Sequence, residues 1–262
     1  MQKVKKALIT GASSGIGREL ALLLAERGVE LIVHGRDALA LELLVNEIGK
    51  KTTVKICVAE LASFDGTQDV IKMLQAEFPD LVINNAGFGL YGDLTSHGPQ
   101  ETQQMIAANC AAVVAICQHI TYWWDVEKIQ GTILNVSSAL SMMPAPGAAV
   151  YGATKAFVNS FSEALDVELE SKGIRVLTAC PGRVATKFAN RASKGKVAEG
   201  ITGSMILDSK DVARAMLDQI DKREPLRIID WKYKLLLGLQ RLLPKRLSMK
   251  RLYAALKARS TN

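Results

Sequence analysis

The sequence predicts an α/β protein: a doubly wound parallel sheet of about seven strands with helices on both faces, followed by a helical C-terminal extension. Three observations carry this. Short runs rich in β-branched and apolar residues alternate with longer stretches of helical period from the first residues onward. The strand runs are apolar throughout, as strands covered on both faces are, and right-handed crossovers then wind them into one parallel sheet. Finally, 262 residues with 48% hydrophobic and 23% charged side chains suit a large globular domain and exclude a disordered, collagen-like or coiled-coil chain.

Taken in order, the first strand is read at 4–9, and its end runs into Thr10-Gly11-Ala12-Ser13-Ser14-Gly15-Ile16-Gly17. Glycines there permit a tight turn and a close backbone approach to a phosphate, and Leu20, Leu23 and Leu24 then begin a helix over 15–27. The second strand, 30–34, ends at Gly35-Arg36-Asp37, with Asp37 as the cap of a helix over 37–49. A third, 53–58, stops before Glu60 and is followed by a helix over 65–77, and a fourth, 81–84, leads into Asn84-Asn85-Ala86-Gly87. One long helix over 100–124 carries Asn109, His119 and the pair Trp123-Trp124, the pair read as packing or an oligomer surface. The fifth strand, 132–137, ends at Ser138, and the helix over 151–172 presents Tyr151 and Lys155 four residues apart on one face. A sixth strand, 175–179, leads to Pro181-Gly182, and a helix over 209–222 precedes the seventh, 226–229. With no linker or repeat, residues 1–230 read as one dinucleotide-binding and catalytic domain, and 231–262 as an appended tail. In such a sheet the ligand lies beyond the carboxyl ends of the strands.

Charge is unevenly placed. Residues 1–230 hold 24 Lys/Arg against 26 Asp/Glu, whereas residues 231–262 hold nine basic residues and no acidic one. The basicity therefore belongs to the tail, whose aromatic content, Trp231, Tyr233 and Tyr253, is too thin for a nucleic-acid surface. Cys57, Cys110, Cys117 and Cys180 form no C-x-x-C pair and no zinc-spaced cluster, so no metal is expected and a reducing, cytoplasmic setting is. No apolar run approaches the ~18 residues of a membrane span, and the first strand starts too early for a cleaved signal.

The glycine turn alone leaves alternatives. Gly11-Ala12-Ser13-Ser14-Gly15 also matches a nucleophile elbow, which would make Ser13 a serine-hydrolase nucleophile, but the last of three histidines, His119, lies mid-chain. A phosphate-transfer loop needs Gly-Lys-Ser/Thr where the chain has Gly17-Arg18-Glu19. A regulator that binds dinucleotide without turnover is a further reading. The second constellation, Asn109, Ser138, Tyr151 and Lys155, decides for an enzyme. A phenol with an ordinary pKa of about 10 is a poor proton donor or acceptor at neutral pH, and a nearby ammonium is the expected help.

On Thr10-Gly11-x-x-x-Gly15-x-Gly17, Asn84-Asn85-Ala86-Gly87, Asn109, Ser138, Tyr151-x-x-x-Lys155 and Pro181-Gly182-x-Val184-x-Thr186, the chain resembles the short-chain dehydrogenase/reductase superfamily in its compact branch, a Rossmann-like fold. The resemblance implies that Tyr151 donates a proton to the substrate carbonyl and Ser138 hydrogen-bonds the same oxygen. Lys155 would bind the nicotinamide ribose and depress the Tyr151 pKa, and Asn109 would hold a water in the proton path. It implies cofactor contacts at Thr10, Gly11, Ser13, Ser14, Gly15, Ile16, Gly17, Glu60, Leu61, Asn85, Ala86, Gly87, Tyr151, Lys155, Pro181, Gly182, Val184 and Thr186. Glu60 stands where the family usually has Asp beside adenine. At the end of the second strand the carboxylate that an NAD enzyme would use is replaced by Gly35, and Arg36 follows, so NADP(H) is expected with Arg36 at its 2′-phosphate.

The segments that build the family's substrate pocket are apolar here: Phe88, Leu90 and Tyr91; Leu140, Met142 and Met143; Phe188, Met205 and Ile206. Ser138, Tyr151, Leu140, Met142 and Phe188 are the expected contacts of a small-molecule carbonyl or alcohol of fatty-acyl, sterol or polyketide kind. A homo-oligomer, dimer or tetramer, is also expected. In the tail, Trp231 to Leu243 is broadly apolar beside Lys234 and Arg241, Pro244 breaks the helix, and Met249, Leu252, Tyr253 and Leu256 form a stripe away from Lys250, Arg251, Lys257 and Arg259. Two uses fit: a peripheral anchor on an anionic membrane, or a cap packed on the domain or a sister subunit.

Overall fold

Seven parallel strands make the sheet: β1 (Lys6–Ile9), β2 (Glu30–Gly35), β3 (Val54–Val58), β4 (Leu81–Asn84), β5 (Thr132–Val136), β6 (Arg175–Pro181) and, beyond the two-residue strands β7 (Arg183–Val184) and β8 (Ile206–Leu207), β9 (Leu226–Ile229). Their order is β3-β2-β1-β4-β5-β6-β9, so the winding reverses between β1 and β4, where a crevice opens at the carboxyl edge. The computed structural model describes residues 4–195 and 205–241, and beyond them 244, 246, 249, 250, 253 and 254. The expected tail residues Leu242, Leu243, Arg251, Leu252, Leu256, Lys257 and Arg259 lie outside the described residues.

The continuous apolar runs are explained by the pleat. Ala7 and Ile9 of β1, Leu31 and Val33 of β2, and Leu81 and Ile83 of β4 face one core, which α1 (Gly15–Glu26), α2 (Ala38–Ile48) and α8 (Ser209–Lys222) cover. Leu8, Ile32 and Val82, one residue out of step, face a second core under α3 (Phe64–Glu77) and α5 (Ala112–Val126), which α6 (Ala149–Leu169) extends. Each helix buries one apolar stripe, and Asp37 caps α2 as expected, its carboxylate accepting from the Ala40 N–H at 3.0 Å.

The long helix read over 100–124 is instead two, α4 (Pro99–Ile106) and α5, joined by a π turn at Ala107–Ala111. Asn109 sits in that turn. The 28-residue rod from Pro99 to Val126 is long and apolar enough by composition to cross a membrane, but Met105, Ile116, Ile120 and Trp124 are buried in the protein core. Trp124 lies flat against Gly131 and donates to the Pro79 carbonyl at 2.8 Å, whereas Trp123 donates to His119 nearer the surface. The segment between β7 and β8, here called the flap, begins with the short helix α7 (Phe188–Ala192), and α9 (Trp231–Arg241) follows β9.

Candidate active site

The glycine turn is held by its neighbours. The Thr10 hydroxyl accepts from the Asn85 and Ala86 N–H groups at 3.0 and 2.9 Å, and the Asn85 amide donates to the Thr10 and Gly11 carbonyls at 2.9 and 3.2 Å. Asn85, expected to line the adenosine site, thus commits its side chain to shaping the turn. A Cβ on Gly17 would lie 2.4 Å from the Gly11 oxygen, and one on Gly11 2.9 Å from Ala86 Cα, so both glycines are required by close packing. Ser14 stands at the N-cap of α1 without a side-chain cap, which leaves the first N–H groups of the helix facing the crevice. Those donors and the bare glycine backbone fit the pyrophosphate of a nicotinamide dinucleotide.

His34, which the sequence did not single out, is a strut under the same turn. Its Nδ1 accepts from the Gly11 N–H at 3.4 Å, and Nε2 lies 3.1 Å from the Ala59 carbonyl as donor, which makes the neutral Nε2–H tautomer. Burial pushes its pKa down from 6.5 to about 4. A lowered histidine pKa means that its stabilisation is full above about pH 6.5 and is lost as pH falls toward 4, at most about 3 kcal/mol. Urea midpoints at pH 7.5 and 5 should therefore drop further on acidification for the wild type than for His34→Gln; equal drops would contradict the strut.

At the end of β2, a Cβ on Gly35 would lie 3.2 Å from the Ser13 hydroxyl, so Ser13 fills the place of a longer side chain. Arg36 pairs with Glu60 at 2.8 Å, both well exposed, and Glu60 also accepts from the Ala62 N–H. Burial raises the Glu60 pKa, but these two partners more than offset it and hold the carboxyl below its usual range. Leu61, expected at the cofactor, turns its side chain into the core instead, and Ile16 packs against the core under the turn.

Ser138, Tyr151, Lys155 and Asn109 converge beyond β4 and β5, all nine-tenths or more buried. Asn109 accepts from the Phe88 N–H at 3.1 Å and donates to the Phe88 carbonyl at 2.9 Å and the Thr154 hydroxyl at 3.1 Å. Both its amide hydrogens are therefore taken, and the side chain ties the loop after β4 to α6. Lys155 Nζ donates to the Val136 carbonyl at 2.8 Å and lies 6.0 Å from the Tyr151 ring centre. It borders Gly87, where a Cβ would stand 3.4 Å from Nζ and 2.8 Å from Asn109 Oδ1.

The electrostatics differ from the expectation that Lys155 depresses Tyr151. Burial pushes the Tyr151 phenol up, the partly buried Tyr91 adds to this, and the Ser138 hydroxyl alone among the main neighbours eases it. Burial also pushes Lys155 down to about 8. The protein by itself thus keeps Tyr151 protonated, because desolvation prevails although the Lys155 ammonium lies over the ring, 6.0 Å from its centre.

Around Tyr151 stand Tyr91 and Phe188, with ring centres 6.0 and 5.6 Å from it, together with Leu140, Leu90 and Met105. Met142 does not join them: its sulfur accepts from the amide of Asn159 on α6 at 3.8 Å. A small cavity shares Leu90, Met105 and Val150 with this cluster and reaches His97, both of whose ring nitrogens are buried without a partner. Nothing in the sequence marked His97. Pro181 is buried at the end of β6, Val184 pairs with Leu207, and Thr186 lies over Gly15, where a Cβ would come within 2.9 Å of its methyl. Met205 and Ile206 sit at the flap base instead of the pocket wall, Ile206 pairing with Arg183 and the Met205 carbonyl accepting from Tyr233. The hydrolase alternative fails, since both His34 nitrogens serve backbone groups and no acid–histidine pair faces Ser13 among the described residues.

The chain is similar to an uncharacterized oxidoreductase of Staphylococcus epidermidis, 31% identical over 202 residues, 75% of this chain and 86% of that one. Among solved structures it is similar to a short-chain dehydrogenase from Sphingobium yanoikuyae in complex with NADPH, 27% identical with a TM-score of 0.80 over 91% of this chain and 94% of that one. It is also similar to a bulky-bulky ketone specific alcohol dehydrogenase from Comamonas testosteroni, 28% identical with a TM-score of 0.77 over 92% and 93% of the two chains. The short chain dehydrogenase family description matches residues 5–197, so the chain belongs to that family of oxidoreductases, which bind a nicotinamide dinucleotide.

Proposed function

We propose that the protein is an NADP(H)-dependent oxidoreductase that reduces the carbonyl of an apolar small molecule or oxidises the matching alcohol. The convergence of Ser138, Tyr151 and Lys155 on one spot beside the glycine turn carries the reading. A bound NADP(H) supplies or accepts the hydride. Tyr151 holds its proton at Oη and gives it to the carbonyl oxygen, and the Ser138 hydroxyl stabilises the charge developing there. Lys155, anchored on the Val136 carbonyl, keeps two donors for the ribose hydroxyls. Asn109 sets the distance between the loop after β4 and α6, and so the width of the cleft.

The aromatic lining supports a hydrophobic substrate of fatty-acyl, sterol or polyketide kind, and the unpartnered His97 supports one with a hydrogen-bonding group away from the reacting carbonyl. Four buried free cysteines support a reducing, cytoplasmic setting, and exposed Tyr122 and Val126 of α5 with Phe157 and Val167 of α6 support a homo-oligomer.

Gly35, Ser13 and Arg36 carry the preference for NADP(H): β2 ends on Gly35 where a carboxylate would be used, Asp37 commits its own to the cap of α2, and the exposed Arg36 guanidinium, paired with Glu60, stands next to Gly35. Arg36→Ala should raise the KM for NADPH roughly ten- to a hundredfold, the range of a charge-assisted contact worth about 1.5–3 kcal/mol, and leave NADH kinetics nearly unchanged. Equal use of the two cofactors by the unmutated enzyme would overturn this.

A further inference from the structure

The helix α9 has two apolar faces, and only one is explained by the fold. On the inner face the Tyr233 hydroxyl accepts from the Arg183 N–H at 2.9 Å and donates to the Met205 carbonyl at 3.1 Å, tying together the two ends of the flap. Its ring lies where any side chain at Gly182 would have to go, 2.0 Å from a Cβ. On the outer face Trp231, Leu235 and Leu239 are 67%, 55% and 53% exposed. At i, i+4 and i+8 they stand one above another as a single stripe, with the exposed Lys234 beside it. Three large apolar side chains in water on one helix need an occupant.

We propose that this outer face docks on an anionic lipid bilayer. Charge selects the occupant, since residues 231–262 carry nine basic side chains and no acidic one. A second copy of the chain meeting this face across a two-fold axis would bring the same excess against itself. Nucleic acid would take the charge but leave Trp231, Leu235 and Leu239 in water. A bilayer takes both: the indole and leucines enter the boundary between headgroups and acyl chains, and the exposed Lys234 beside them meets the anionic headgroups. The second described piece of the tail plays another part, because the Tyr253 hydroxyl donates to Asp93 in the loop after β4 and so lies on the domain. Because α9 also carries Tyr233, docking places the base of the flap at the lipid surface.

The full-length protein is mixed with vesicles of phosphatidylcholine containing 30 mol% phosphatidylserine, taken as about the anionic content of a charged leaflet, and sedimented in low salt. We expect it to pellet, to be released by about 0.5 M salt as surface attraction is screened, and to stay in solution with phosphatidylcholine alone. Trp231→Gln/Leu235→Gln/Leu239→Gln should lower partitioning at least about tenfold while its thermal midpoint, oligomeric state and NADPH binding stay as in the wild type. A blue shift of tryptophan emission on adding the anionic vesicles should vanish in Trp231→Phe. Wild-type protein that stays in the supernatant in low salt, or a triple variant that pellets equally well, overturns the proposal. So does a triple variant that loses its thermal midpoint or its oligomeric state, which would mean that the face packs against protein.

Discussion

Tyr151→Phe is expected to lower kcat at least about a hundredfold, the usual weight of a general acid, while NADPH affinity stays within about twofold. The ring keeps its packing against Tyr91 and Phe188, so the loss isolates the hydroxyl. The direction of the Tyr151 shift adds a second check. Because burial keeps the phenol protonated, carbonyl reduction should persist through neutral pH, whereas alcohol oxidation, which needs the phenolate, should rise steadily as pH increases. Stopped-flow absorbance of NADPH in both directions measures this; a variant with more than a tenth of wild-type kcat would remove Tyr151 from the proton transfer.

Lys155→Met should damage turnover and cofactor binding together, by about a hundredfold in kcat/KM, since the ammonium that would hold the ribose also fixes the place of the nicotinamide beside Tyr151. Burial holds Lys155 near 8, so the free enzyme loses the charge above that pH. For a cofactor that binds only the charged form, affinity then falls about tenfold per pH unit above 8. Titrating NADPH fluorescence at pH 7, 8 and 9 should show the fall in the wild type and a flat, weak affinity in Lys155→Met. A flat wild-type profile would mean that the ammonium does not touch the cofactor.

The seven main strands were legible because runs such as Leu31-Ile32-Val33 are covered on both faces and read as unbroken apolar stretches. The residues at their ends were legible as a group because the carboxyl edge of a parallel sheet collects them. What spacing does not carry is the direction of a side chain. Leu61 and Met142 sit at the right places in the chain and point away from the cleft, and Asn85 turns its amide back on the glycine turn. The strands β7 and β8, two residues each, are too short to have a period. His34 and Tyr233 each act through two hydrogen bonds to distant backbone atoms, for which a lone sequence holds no signal.

The π turn at Ala107–Ala111 is, in effect, one residue more than a regular helix would use between α4 and α5. Each residue of an α-helix advances the chain by about 100° around its axis. Deleting Ala107 would let the rod close into an unbroken α-helix with α4 and α5 still in phase, because the π turn absorbs that extra residue. A deletion inside α5 has no such residue to give up: either Asn109 would swing out of reach of Phe88 and Thr154, or Ile116 and Ile120 would leave the core. Among substitutions this rod has wide latitude on its exposed side, at Gln103, Gln104 and Tyr122. To a change in length outside the π turn it has almost none, so insertions and deletions within α4 and α5 should be far less tolerated than point changes at the same sites.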